Sequence, residues 1–424
     1  MSLSEKWDWE CGKRVISDLD SVKGDYDWIE EPYASPDGER VAAVVRTDGE
    51  PFGVSVNGEV WENTFDRAWY LRFSPDGRLT ALVSDSGEWT LAVDGEPWEN
   101  RFEFAWNTQF SRDGKNIYIA AVHSEKRYLV VGNDVPWEEG FFHIGDMVVS
   151  PDGLQVGLSA QTVATQERAI ARFQEGAFSV AINGVPWEST FLNVWEPAFS
   201  SDGSHAAACV RTTLYDYTIV VDGTPWKKLF GAAWAPRFSP ADRSVTAPVR
   251  AGGQWFLARD GEIFWERGFT QLWNHLYSPD GGRIAAIVAP KFGRWTVAVD
   301  GKPWTNTFSD LATDIQFSQD GRKIACIFRD EGSWGICLDD KPWAGRYDMV
   351  WKPVFSPDGK HAAAKVEKDG LYTIAVDGVP MDEWYDQVWE PTFSPDGSKI
   401  LVRGIGTGED TGQYCRTVVT TERK

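Results

Sequence analysis

Basic residues, cysteine, histidine and long apolar runs are all in short supply in this chain. Its 424 residues hold 42 Lys and Arg against 63 Asp and Glu, a formal charge of −21 spread along the sequence. A phosphate backbone repels such a surface, which argues against nucleic acid as a partner. The five histidines, His123, His143, His205, His275 and His361, lack ligand spacing such as H-x-x-x-H, so no clustered metal site is expected. The five cysteines, Cys11, Cys209, Cys326, Cys337 and Cys415, are odd in number and include no C-x-x-C pair. They are expected to be ordinary reduced residues, most of them in strands. No run of about 20 apolar residues occurs, and the opening MSLSEKWDWECGKR has neither a basic n-region nor an apolar h-region; the expectation is a cytoplasmic protein with no direct membrane span. G-x-S-x-G, Walker, Rossmann and H-E-x-x-H patterns are also missing, so no catalytic, cofactor-binding or metal-binding residue is assigned.

What the chain has in abundance is tryptophan, 23 residues, and a repeat. Ser-Pro-Asp-Gly or a close relative recurs ten times, with its third residue at Asp37, Asp76, Asp113, Asp152, Asp202, Ala241, Asp280, Asp320, Asp358 and Asp396; the spacing is 37 to 40 residues except for one gap of 50. Proline presets φ, aspartate caps its own backbone and glycine accepts φ > 0, so each copy is a hairpin corner. An Ala/Val run follows, such as Ile284-Ala285-Ala286-Ile287-Val288, then a strand opened by an aromatic: Phe52, Trp89, Tyr128, Phe178, Tyr217, Trp255, Trp295, Trp334, Tyr372 and Tyr414. Five residues beyond the first nine of these stands Asn or Asp, from Asn57 to Asp377, usually before glycine, which reads as a tight hairpin turn. A Pro-Trp segment comes next (Trp61, Trp98, Trp137, Trp187, Trp226, Trp304, Trp343), then Phe or Tyr four residues on. Four later comes a second tryptophan: Trp69, Trp106, Trp195, Trp234, Trp273, Trp351 or Trp389. Trp265 stands one residue late in the first series, where Met381 replaces the ninth member; Gly145 and Ala312 break the second.

Four short strand signals and four turns in about 39 residues make one antiparallel four-stranded blade. The expected fold is all-β, a β-propeller of about ten four-stranded blades in one ring, with two five-bladed rings as the alternative. Blade-to-blade packing is expected to absorb most of the tryptophans. The last repeat lacks its Pro-Trp strand, so residues 1–28 are read as an N-terminal segment whose Lys13–Ser17 stretch supplies it, with the propeller over 29–424. The recurrent aspartates, one at nearly every corner, are turn residues; a catalytic pair would break the repeat at one place. The one long gap places an insertion at about 161–176, read as a short helix with Thr165 as N-cap and Gly176 as stop. Its Val163, Ile170 and Phe173 form an apolar stripe beside Arg168 and Arg172, and these five are the candidate partner-binding residues, because insertions in repeat arrays concentrate on a binding face.

The Phe-Ser-Pro-Asp-Gly corners, as at Phe73–Gly77, Phe355–Gly359 and Phe393–Gly397, resemble the WD40-like repeats of TolB-type propellers across almost the whole chain, without an export signal or a separate N-terminal domain. The repeated Val-Asp-Gly-x-Pro-Trp, as at Val93–Trp98 and Val299–Trp304, together with length and acidity, is similar to the tryptophan-rich subunit of the Tmc-type transmembrane electron-transfer complex of sulfate-reducing bacteria. That resemblance implies a cofactor-free scaffold or protein-interaction subunit. Its partners would be a cytochrome b membrane subunit, an iron–sulfur subunit related to heterodisulfide reductase and a periplasmic multihaem cytochrome, and membrane association would run through those partners. The alternative is a propeller enzyme. Quinoprotein dehydrogenases have a different glycine-to-tryptophan spacing, and sialidase Asp-boxes continue into a Thr-Trp that these corners lack.

Overall fold

The computed structural model describes residues 3–123, 127–164 and 176–422. Its architecture is that of a β-propeller: all-β, with four-stranded antiparallel blades following one another along the chain. The chain divides into two compact units, one of Met1–Arg101 with Asp310–Lys424 and the other of Phe102–Ser309. Among the described residues each unit holds five blades. In the discontinuous unit the last two are joined into one sheet through Tyr372 pairing with Tyr385. No described helix is long and apolar enough to cross a membrane.

Within a blade the strands run in chain order, as in Asn193–Phe199, Ala206–Arg211, Tyr217–Val221 and Thr224–Pro225. The fourth strand is only two residues long, and proline suits it because an edge leaves the missing N–H without a partner to lose. In the last blade Gly12–Asp18 takes the fourth position, pairing antiparallel with Gln413–Thr420.

The turns explain why the sequence repeats as it does. All nine Asn or Asp residues of the third hairpin turn lie at φ between 46° and 51°, and the residue after each also has positive φ. That pair of conformations is the type I′ turn, whose twist matches the strands it joins. Asn and Asp are chosen over other tolerant residues because each Oδ1 accepts the backbone N–H that opens its second strand, at 2.8 to 2.9 Å, as from Val41 to Asn57 and Ala362 to Asp377. At the Ser-Pro-Asp-Gly corner the buried serine donates to the aspartate and accepts the backbone N–H five residues on, as Ser356 does with Asp358 (2.6 Å) and His361 (3.0 Å). Where Ala241 interrupts the motif, Asp242 accepts instead from the N–H and hydroxyl of Ser244 at 3.0 and 2.7 Å.

The core lies between successive blades of each unit. One cluster joins Ala207, Cys209 and Ile219 of one blade, with Phe230 bridged to its Tyr217, to Val245, Ala247 and Val249 of the next. Another joins Val44 and Val54 to Leu71, Leu79 and Val83. Most of the tryptophans of the first series finish these seams by lying against the hairpin glycine of the following blade, as Trp61 does at Gly95, Trp187 at Gly223, Trp265 at Gly301 and Trp343 at Gly378. A Cβ on Gly378 would stand 3.1 Å from Trp343, so glycine there serves both the positive φ and the indole.

Candidate functional site

The two tryptophan series, alike in sequence, have different fates. The first is seam packing. The second sits at the start of the first strand, directly before a bulge: the ladder shifts register after Trp69, Trp106, Trp195 and Trp273, and the next residue (Tyr70, Asn107, Glu196, Asn274) has positive φ. A bulge re-aims the side chain it carries. Neighbouring Ala68, Ala105, Val194 and Leu272 point into the core, so strand alternation sends each tryptophan to the other side. Trp69, Trp195 and Trp234 remain 39%, 36% and 46% exposed, more than seam packing leaves Trp265 or Trp343. In the blade where Ala312 breaks the series, one extra residue shifts the position, and Thr313 stands at the bulge.

Each of these indoles pairs with the aromatic that opens the third strand of its own blade. The pairs are Trp69–Trp89, Trp106–Tyr128, Trp195–Tyr217, Trp234–Trp255, Trp273–Trp295, Trp351–Tyr372 and Trp389–Tyr414, with ring centroids 4.9 to 6.1 Å apart. In every blade this is the end at which the second strand also finishes, so the loops between second and third strands flank the aromatics. Those loops carry Tyr215 and Phe292, 80% and 94% exposed, and the insertion. Of the insertion's candidate residues, Val163 is half-buried, while Arg168, Ile170, Arg172 and Phe173 lie outside the described residues. Gly176, at φ +98, approaches the backbone of Thr190 and Phe191 so closely that no Cβ fits.

In the unit of residues 102–309 this end opens into a cleft of about 550 Å3 between Trp195 and Trp234. Its floor is Cys209 and Ala233, both buried, with Cys209 Sγ 3.3 Å from the Ala233 carbonyl. Tyr217 backs Trp195, and Asp146 and Glu196 stand beside the indoles. The Glu196 N–H donates to Asp146 Oδ2 at 3.1 Å. Partial burial pushes the Glu196 carboxyl up and Asp146 pushes it further, against the Ala235 N–H and Arg237. Arg237 lines an adjoining cleft of about 350 Å3 with Glu196, Trp234, Trp273 and His275. His275 is wholly buried, 2.9 Å from Thr246 Oγ1, and burial helped by Arg237 holds its imidazole down to about 3, so it is neutral. In the other unit a cleft of about 680 Å3 lies at Met381, Ile400 and Val419, where the seam tryptophan and the hairpin turn are both replaced.

Elsewhere the ionisable residues serve the frame. The corner aspartates Asp113, Asp152, Asp202, Asp280 and Asp320 are held low, first by their serines, and so are Asp358 and Asp396, which fall to about 2. All five cysteines are free thiols, and Cys326 and Cys337 face each other across paired strands. Burial pushes the Cys209 thiol up to about 12, with Glu196 adding to it, which makes it a poor nucleophile. Sequence reasoning gave both tryptophan series to packing and missed the aromatic end. The signal for it is local: a buried small or branched residue just before the tryptophan and a polar residue just after it.

No family model matches the chain, and no curated protein matches it. Among solved structures it is similar to a eukaryotic initiation factor (TM-score 0.49, 11% identity, 84% of this chain and 95% of that one). It is also similar to the tricorn protease (0.35, 13%, 90% and 51%) and to the dihydro-heme d1 dehydrogenase NirN (0.37, 12%, 68% and 68%). At these scores and identities none of the three functions is carried over.

Proposed function

We propose that this chain is a non-catalytic protein-interaction subunit whose binding face is the aromatic end of its blades. The observation that supports this most is the recurrence, blade after blade, of a partly exposed tryptophan packed against a second aromatic at the same strand end. Frame packing does not need those indoles exposed, and amphipathic aromatics are the residues that anchor protein interfaces. The insertion belongs to this end, which agrees with its assignment as a partner contact. The similarity of the Val-Asp-Gly-x-Pro-Trp repeats to a tryptophan-rich redox-complex subunit supports a finer reading. In it the partners are an iron–sulfur subunit and a cytochrome b subunit, and the chain is cytoplasmic and reaches the membrane through them.

The test is affinity purification of the tagged chain from its native cells, wild type against a Trp195→Ala/Trp234→Ala variant and a variant with residues 163–175 replaced by a Gly/Ser linker. Stoichiometric partner subunits should accompany the wild type and be lost from the double variant, with melting temperature preserved. Undiminished partner recovery from both variants would sink the reading. A visible absorption band in the purified chain would favour a redox enzyme.

A further inference from the structure

The repeat contains its own experiment in what the aromatic pair can hold. In the blade of residues 349–380 the residue opposite the tryptophan is Lys365, whose carbonyl accepts the Trp351 backbone N–H across the ladder at 3.0 Å. The Lys365 ammonium lies 4.3 Å from the Trp351 ring centroid and 4.8 Å from that of Tyr372, a cation between two aromatic faces. Glu390 and Glu31 are the acidic groups that act on it most strongly.

In the blade of residues 193–225 the same position, directly opposite Trp195, is Cys209. Ala206-Ala207-Ala208-Cys209-Val210 aligns with Ala362-Ala363-Ala364-Lys365-Val366, and Trp195 and Tyr217 take the places of Trp351 and Tyr372. The aromatic pair is therefore kept, the cleft has carboxylates of its own in Asp146 and Glu196, and in place of the lysine an open cleft stands above the shorter Cys209 side chain. Neither carboxylate forms an ion pair within 4.0 Å among the described residues, and the cation that acts on Glu196, Arg237, lines the adjoining cleft and not this one. Arg211 does approach Tyr217, at 5.8 Å, but its guanidinium is turned to the carbonyls of Thr213 and Leu214 and it does not line the cleft.

We infer that the cleft between Trp195 and Trp234 takes the protonated amine of a lysine side chain from a partner protein, with the aromatic faces around its alkyl stem and Asp146 and Glu196 at its charge. The inference rests on the aromatic end being the binding face. The occupant is a basic side chain because both the cleft and the protein as a whole are anionic, and because the homologous position already accepts a lysine.

The probe is Nα-acetyl-lysine methylamide, with the norleucine compound as its uncharged match, titrated against protein carrying 5-fluorotryptophan. Fluorine resonances of residues 195 and 234 are assigned with Trp195→Phe and Trp234→Phe. The lysine compound should shift both resonances saturably, and the norleucine compound should bind about tenfold more weakly or worse, a difference of about 1.4 kcal/mol. Glu196→Gln should weaken lysine binding comparably. Cys209→Lys should abolish it by restoring an internal ammonium, with melting checked to show that the variant folds. Equal shifts from both compounds, no shift from either, or an undiminished response in both Glu196→Gln and Cys209→Lys would overturn the inference. If the probe fails while partner recovery still depends on Trp195 and Trp234, the lysine site falls and the binding face stands; loss of that dependence removes the binding face itself.

Discussion

The blades of residues 193–225 and 349–380 are built to one plan and differ where it matters. Both open with an alanine triplet, both turn on Asp-Gly, and both place a histidine Nδ1 2.6 Å from the turn aspartate, His205 on Asp222 and His361 on Asp377. Both set a tryptophan against a tyrosine at the same end, stacked in the first and tilted by 57° in the second. Yet one fills the space against that pair with Lys365 and the other leaves it to Cys209 and a cleft. Between these two blades the frame residues are held by turn conformation and seam packing, and the difference falls at the aromatic end. Function in such a fold belongs to the site and not to the architecture.

The largest effects should come from the shared frame and should strike both blades. Trp343, nearly buried beneath the hairpin of the 349–380 blade, should cost about 3 to 5 kcal/mol when changed to alanine, the usual range for a buried large aromatic. A urea denaturation midpoint measures it. The two hairpins then separate: Gly223→Ala and Gly378→Ala share the strain of positive φ, about 1 to 2 kcal/mol. An added Cβ would meet Trp187 at 3.6 Å in the first but Trp343 at 3.1 Å in the second. Gly378→Ala should therefore be the more destabilising, and equal midpoints would show that the seam yields.

Acid should also act on both blades through their corners. Asp202 is held well below the usual carboxylate range by Ser200, Ser204 and the Ser204 N–H, and Asp358 falls to about 2, chiefly through Ser356. A depressed folded pKa contributes stability that is complete above the unfolded value near 3.9 and is lost as pH falls through the folded value. Melting temperatures should therefore be insensitive to these groups above about pH 5 and fall between about pH 4 and 2. Ser356→Ala should lower the melting temperature near neutral pH and flatten the acid limb, because a smaller shift leaves less stability to lose, and an unchanged acid limb in this variant would show that the serine is not the cause. These carboxylates are exposed, so the slope from any one corner should be shallow.

The frame was legible in the sequence because its causes are local. Asn57 through Asp377 mark the type I′ turns, Ser-Pro-Asp-Gly marks the corners, and the aromatics that open the third strands set the register. The aromatic end was not legible, because Trp187 and Trp195 look equivalent until the bulge after Trp195 and the burial of Val194 are seen. Nor could spacing show that Ala312 is displaced by an extra residue and that Thr313 holds its place. The meaning of Lys365 and Cys209 depends on their lying across the ladder from a tryptophan, a pairing made over 14 residues.

The smallest effect on stability, and the sharpest on the comparison, should come from Lys365→Met. A cation–π contact is worth about 0.5 to 1 kcal/mol at partly exposed sites, and the methionine thioether keeps both the stem and a favourable contact with the rings. Burial already lowers the Lys365 pKa, so removing the charge also removes a desolvation cost that offsets part of the loss. The melting temperature should thus change by a few degrees at most. What should change is chemistry at the aromatic pair: Glu390 and Glu31 lose their cation, and a second variant, Lys365→Cys, also empties the space and so gives the 349–380 blade the arrangement that the 193–225 blade has with Cys209. The fluorotryptophan resonance of residue 351, silent to the lysine compound in the wild type and in Lys365→Met, should respond to it in Lys365→Cys. A silent resonance in a folded variant would mean that the aromatic pair needs the acidic setting of Asp146 and Glu196 as well as a vacant position, and that the two blades differ by more than one residue.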